Sequence, residues 1–134
     1  MNQNDQIREV KSATLRRFDQ LWQNNFQANR NAIQQNCGVI ALKNKFRDLP
    51  CIVVGAGPSL DKNIRFLHRA KNKAVIISCD AALKPLMHHG IIPDFVVCLD
   101  PQEDIARFLT NVPHAGITLV VPSIVHPHVL ELWE

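Results

Sequence analysis

The chain has 134 residues, 46% of them hydrophobic and 20% charged, with a net charge of +3; this is enough apolar content to fill one domain core and excludes a wholly disordered chain. Aromatic residues make up only 6% and Tyr is absent, so the mild positive charge lacks the stacking partners of a nucleic-acid surface, and no nucleic acid is expected. No apolar run approaches a membrane span, and the polar opening Met1-Asn2-Gln3-Asn4-Asp5 is not that of a signal peptide.

Residues 1–36 hold fourteen Asn and Gln, a bias that then disappears. A boundary therefore falls between about residues 37 and 49, separating an N-terminal helical segment (1–46) from a second unit (47–134). Within the first, Leu15, Phe18, Trp22 and Phe26 recur at helical spacing, and Ile33 continues the stripe. This pattern predicts a helix packed on the domain or on a partner, in preference to a prion-like aggregating tract.

From Leu49 onward, short β-branched runs at 51–54, 74–79, 95–99 and 117–121 alternate with amphipathic runs at 60–70, 81–89 and 102–109. Strand and helix repeated in this way predict an α/β fold, a Rossmann-like parallel sheet with flanking helices and right-handed crossovers. Cys37, Cys51, Cys79 and Cys98 have no CxxC spacing, and three of them sit in or beside the strand runs, so they read as small apolar residues in a reducing cytoplasm. Gly90, ahead of Ile91-Ile92-Pro93, marks a helix end. Pro85 is expected to open a short helix at its first position, leaving 80–84 as a loop.

The run Cys51-Ile52-Val53-Val54-Gly55-Ala56-Gly57-Pro58-Ser59-Leu60-Asp61 takes an apolar strand into a glycine turn and then a helix. Such a turn suits a phosphate, which meets free N–H groups and no Cβ. It begins like the dinucleotide fingerprint GxGxxG, but Leu60 stands at the third glycine position, which argues against NAD. An ordinary strand-to-helix turn with Ser59 as N-cap is the plainer alternative.

In a parallel sheet, ligands gather outside the carboxyl ends of the strands, near a reversal of strand order. Ser59 after the first strand, Asp80 after the second and Asp100 after the third converge there. Asp80 lies 23 residues beyond Gly57, near the distance at which an acidic residue reads a ribose hydroxyl, and it equally suits loop capping. Asp100-Pro101-Gln102-Glu103 has the form of a capping box, and the same Asp100 carboxylate could coordinate a Mg²⁺ ion carried by phosphates. Asp94 opens the third strand at the opposite edge. His88-His89 and His126-Pro127-His128 lack zinc-ligand spacing. Lys62, Arg65, Arg69, Lys71 and Lys73 form a solvated basic stretch, with Lys62 close enough to the loop to meet a phosphate.

Taken in order, Gly55 to Asp61, Cys79 to Leu86, Gly90 to Asp94 and Leu99-Asp100-Pro101 resemble successive motifs of one family. It is the Rossmann-like domain shared by archaeal 6-hydroxymethylpterin diphosphokinase and the bacterial motility accessory factors, which glycosylate flagellin. The resemblance runs from about residue 24 to 123, and Trp22, Asn25 and Asn29 ahead of 39–46 are similar to the bacterial branch. It implies a nucleotide-dependent transferase of the bacterial cytoplasm, moving a nonulosonic sugar from a CMP-activated donor to a flagellin Ser or Thr. Pyrophosphoryl transfer from ATP to a pterin alcohol is one alternative, and a non-catalytic binding domain in flagellar or envelope-glycan assembly is another. The resemblance carries nucleotide phosphates to Gly55, Gly57, Pro58 and Ser59, and nucleoside or metal contacts to Asp80 and Asp100. Family domains continue beyond the last strand run, so the chain reads as a truncated domain.

Overall fold

In the computed structural model, residues 2–133 are described; Met1 and Glu134, the outer bounds of the two expected segments, lie outside them. Four strands, β1 (Cys51–Val54), β2 (Val75–Cys79), β3 (Phe95–Val97) and β4 (Thr118–Val120), form one parallel sheet in the order β1-β2-β3-β4. The expected strand runs are all present, trimmed at their ends. Strand order does not reverse among the described residues, so no switch point marks the ligand edge.

Side chains at paired positions of a parallel sheet share a face, which places Ile52, Val54, Ile76, Ser78, Val96 and Leu119 together. Every connecting helix packs on that face. One core cluster joins Val54 and Ile76 to Leu60, Ile64, Ala82 and Leu86; the other joins Val96 to Leu83, Leu109, Val125 and Val129. The cause is geometric: crossovers of one hand along a strand order that only advances must all run over the same side. On the other face Phe46 meets Phe95 edge-on, with ring centroids 5.4 Å apart, while Val53 stays 75% exposed.

The crossovers differ from expectation in kind. The helix after β1 is α3 (Pro58–Asn63), which tightens into a 3-10 segment over Ile64–Ala70, and the segment after β3 is 3-10 throughout, Glu103–Phe108. Pro85 does not open a helix: α4 runs Asp80–His88 with Pro85 in its interior. Ala82, Leu83 and Leu86 are fully buried on this helix, and that burial outweighs the hydrogen bond Pro85 cannot make. Gly90 ends it as expected, in the left-handed region at φ +69°. Its N–H donates to Met87 O and that of Ile91 to Leu86 O.

The N-terminal segment forms α1 (Gln3–Ala28) and α2 (Arg30–Gln35). The expected apolar stripe divides. Leu15, Phe26 and Ile33 are exposed and Phe18 and Trp22 half-buried, while Asn25 and Asn29 are buried at 4% and 3%. Each asparagine places both amide protons on main-chain carbonyls of the domain. Asn25 Nδ2 donates to Pro101 O at 2.9 Å and Ile124 O at 3.0 Å; Asn29 Nδ2 donates to Ser123 O at 3.1 Å and Val125 O at 2.8 Å. Main-chain carbonyls covered by a docked helix need donors, and here side-chain amides supply them.

Candidate functional site

β1, β2 and β3 are neighbours with the same direction, so the segments that leave their carboxyl ends emerge along one edge. In order along that edge come the loop 55–57 with Pro58 and Ser59, then Asp80, then Asp100. Adjacent strands lie about 4.8 Å apart, so the edge from loop to Asp100 spans roughly 10 Å, the scale of a phosphate with its sugar.

The loop is open. Gly55, Ala56, Gly57, Pro58 and Ser59 are all exposed. Neither Gly55 nor Gly57 adopts a left-handed φ. A Cβ at Gly55 would meet nothing within 4 Å, and one at Gly57 would meet only Ser59 Oγ at 3.9 Å. The turn itself therefore does not require glycine, and the two residues supply free space above the backbone instead. Gly57, not Ser59, is the N-cap of α3, with Pro58 at the first turn. A proline there gives up an N–H that has no intrahelical partner in any case. Leu60 points into the core at 8% exposure, beside Val54 and Ile64. Its position is thus a packing position, not one of close helix-to-strand approach.

Asp80 is half-buried in the first turn of α4, where its Oδ1 accepts the Ala81 N–H at 2.6 Å. Asp100 does not build a capping box with Glu103. Its Oδ1 accepts the Gln102 N–H at 2.9 Å and the Gln102 side-chain amide at 3.2 Å, and Gln102 is the N-cap of the 3-10 segment. The short turn suits a tighter helix, because the carboxylate reaches two residues on rather than three.

Cys98, by its sequence only one of the apolar cysteines, lies two residues before Asp100. It is fully buried, and burial first, then the Asp80 charge, pushes its thiol up to about 12, with the Asp100 backbone and charge also acting on it. The thiol is therefore held neutral, which rules it out as a thiolate nucleophile at ordinary pH. Nothing in the sequence spacing tied Cys98 to Asp80.

Two carboxylates on neighbouring strand ends match the few oxygen ligands that Mg²⁺ takes from protein when phosphates and waters complete its shell. Among the described residues no group of three His, Cys, Asp or Glu is placed to hold a metal unaided. Lys62 is exposed on α3. Asp94 lies at the amino edge, away from the site, with its Oδ2 accepting the Ile76 N–H at 2.8 Å. His126 accepts the His128 N–H at the start of α5 (Pro127–Glu131), and His128 pairs with Glu131 at 3.1 Å. His88 and His89 are exposed at the end of α4.

Two surface depressions lie elsewhere. One, of about 540 Å³, is bordered by Glu103, Arg107 and His128; the other, of about 210 Å³, lies at the amino edge beside Lys71 and Asp94. Neither includes the loop, Asp80 or Asp100. Parallel sheets collect ligands at the carboxyl ends of their strands, so the convergence of chemistry there, more than concavity, marks the site.

The pattern of the family described as 6-hydroxymethylpterin diphosphokinase MptE-like matches residues 24–134, beginning one residue before Asn25. An uncharacterized protein of Treponema pallidum (strain Nichols) is 33% identical over 85 residues, covering 63% of this chain and 40% of that protein. A second from the same organism is 40% identical over 55 residues, 41% of this chain and 9% of its own length. The solved structure of the MAf glycosyltransferase from Magnetospirillum magneticum AMB-1 aligns with a TM-score of 0.54 at 31% identity, covering 65% of this chain and 15% of that one. The chain thus spans less than half the length of each of these relatives.

Proposed function

Because this chain belongs to the 6-hydroxymethylpterin diphosphokinase MptE-like family, we propose that it is the nucleotide-binding part of a transferase. Its preferred donor is a CMP-activated nonulosonic sugar and its acceptor a flagellin Ser or Thr hydroxyl. The observation that carries the reading is the empty space over Gly55 and Gly57, at the same sheet edge as Asp80 and Asp100. A loop that keeps two glycines without needing them for its own conformation leaves room for a ligand to approach the backbone. The similarity to the MAf glycosyltransferase supports glycosyl transfer over other nucleotide chemistry.

In this reading the phosphates lie over Gly55, Gly57, Pro58 and Ser59. N–H groups of the loop and of the first turn of α3, which lack intrahelical partners, offset the charge that builds on the departing nucleotide. Asp80 accepts a hydrogen bond from the nucleoside, and Asp100 is the metal-facing carboxylate. A bound Mg²⁺ ion would supply further neutralisation of the phosphate charge. Cys98, held as a thiol, adds no charge near the acids.

The family's description favours one second reading, pyrophosphoryl transfer from ATP to a pterin alcohol on the same edge. Calorimetry with CMP, CTP and ATP, with and without Mg²⁺, separates the two. Preference for cytidine nucleotides supports glycosyl transfer, and strict preference for ATP supports the kinase chemistry. Binding of none of them, together with full function of Asp80→Ala and Asp100→Ala variants, would leave only a scaffold in flagellar or envelope-glycan assembly.

A further inference from the structure

We propose that Asn25 is a positioning residue for the Asp100 carboxylate, an inference that rests on the nucleotide reading only for its functional consequence. The N-terminal helix would then be part of the site's machinery although none of its residues touches the ligand.

The link between the two residues runs through the covalent chain. Asn25 Nδ2 donates to the carbonyl of Pro101 at 2.9 Å, and Pro101 is bonded directly to Asp100. Between the Asp100 Cα and that carbonyl lie a planar peptide bond and a proline φ locked by its ring, so only two soft torsions remain. The Asp100 carboxylate in turn accepts the Gln102 N–H at 2.9 Å, closing a three-residue turn with Pro101 at its centre. Holding the Pro101 carbonyl therefore holds the turn, and with it the direction in which the carboxylate faces. The second Asn25 proton goes to Ile124 O at 3.0 Å, which ties the same side chain to the segment after β4. With both protons committed and the residue 4% exposed, the amide has no freedom to follow a drifting loop.

Asn29 supplies an internal control. One turn further along, it is buried just as deeply and donates twice, but to Ser123 O and Val125 O. It seats the helix without touching the turn that carries Asp100. A purely structural clamp would make the two asparagines equivalent; a positioning role makes them different.

The test compares Asn25→Ala and Asn29→Ala in the full chain by two measurements. Hydrogen exchange of the Gln102 amide reports the Asp100 turn without any ligand, and calorimetry with CMP in the presence and absence of Mg²⁺ reports the site. Losing the Pro101 bond is expected to speed Gln102 exchange and weaken Mg²⁺-dependent CMP binding, each by about tenfold, in Asn25→Ala. Asn29→Ala is expected to match it in lowered Tm while leaving both readouts within about threefold of the parent protein. Should Asn25→Ala not fold, Asn25→Ser keeps one donor and serves in its place. Equal loss of Gln102 protection in both asparagine variants, in step with Tm, would overturn the proposal. A parent chain that binds none of CMP, CTP or ATP would overturn the nucleotide reading instead, and Gln102 exchange would still decide whether Asn25 holds Asp100.

Discussion

The Cys98 thiol, just past the end of β3, feels the charge of Asp80 at the start of α4, and burial together with that charge raises the thiol from its ordinary 9.0 to about 12. The native state therefore keeps its proton where the unfolded chain has lost it. From pH 9 upward the unfolded state binds fewer protons, so this group's contribution to stability is full below pH 9 and is lost as pH rises toward 12. The urea midpoint of the parent protein should fall more steeply over that window than the midpoint of Cys98→Ala. Equal slopes would show that the thiol is not coupled to folding. Native alkylation with iodoacetamide should modify the exposed Cys37 and Cys51 and spare Cys98.

Gly55→Ala and Gly57→Ala should fold normally. Neither site has a left-handed φ or a contact closer than 3.9 Å, so stability should hold or rise by up to about 1 kcal/mol as the unfolded chain loses freedom. Nucleotide affinity should nevertheless drop, by about tenfold for each methyl placed against a phosphate. Gly90→Ala, at φ +69°, should show the reverse, a loss of about 1 kcal/mol in stability with binding retained. Urea titration and calorimetry on the same three variants check both halves.

Asn29→Ala should cost about 1–3 kcal/mol, because it removes the donor of the buried Val125 carbonyl and of the part-buried Ser123 carbonyl. Leu15→Ala, on the exposed stripe of the same helix, should stay within about 0.5 kcal/mol. Chemical denaturation ranks them; a larger effect at Leu15 would mean that the exposed end of the stripe also holds the helix.

Asp94→Ala should lower stability by about 1–3 kcal/mol through the orphaned Ile76 N–H, since Asp94 both accepts from that group and donates its own N–H to Ile76 O. Asp94→Asn, which keeps an acceptor, should recover most of the loss. Because the residue sits at the amino edge, CMP binding by either variant should match the parent; a selective loss there would relocate the site.

The sheet was legible because its signal is repeated. Cys51, Val75, Phe95 and Thr118 each begin a strand within a short β-branched run, and Gly90 ends α4 where a left-handed residue was needed. Pro85 misled because local preference favours it at a helix start, while the deciding term was the burial of Ala82, Leu83 and Leu86 against residues distant in sequence. The stripe of Leu15, Phe18, Trp22 and Phe26 told only part of the story, since its centre is half-buried and its ends are exposed. Hydrophobic periodicity reports which face could be buried, and it scores as polar the amide donors of Asn25 and Asn29 that also hold the helix. At the site, register alone placed Ser59, Asp80 and Asp100 on one edge. The influence of Asp80 on Cys98 escaped notice because a buried thiol carries no signature beyond that of a small apolar side chain.

The grip of Asn25 and Asn29 falls wholly on main-chain oxygens, which every amino acid possesses. An exposed residue they hold is therefore free to change its side chain without letting go, while the two asparagines are not. In a saturation library, Ser123, exposed and recognised only through its carbonyl, should accept nearly any residue. Asn25 and Asn29 should accept almost none. Exposed positions of the held segment can thus diversify while their anchorage stays the same.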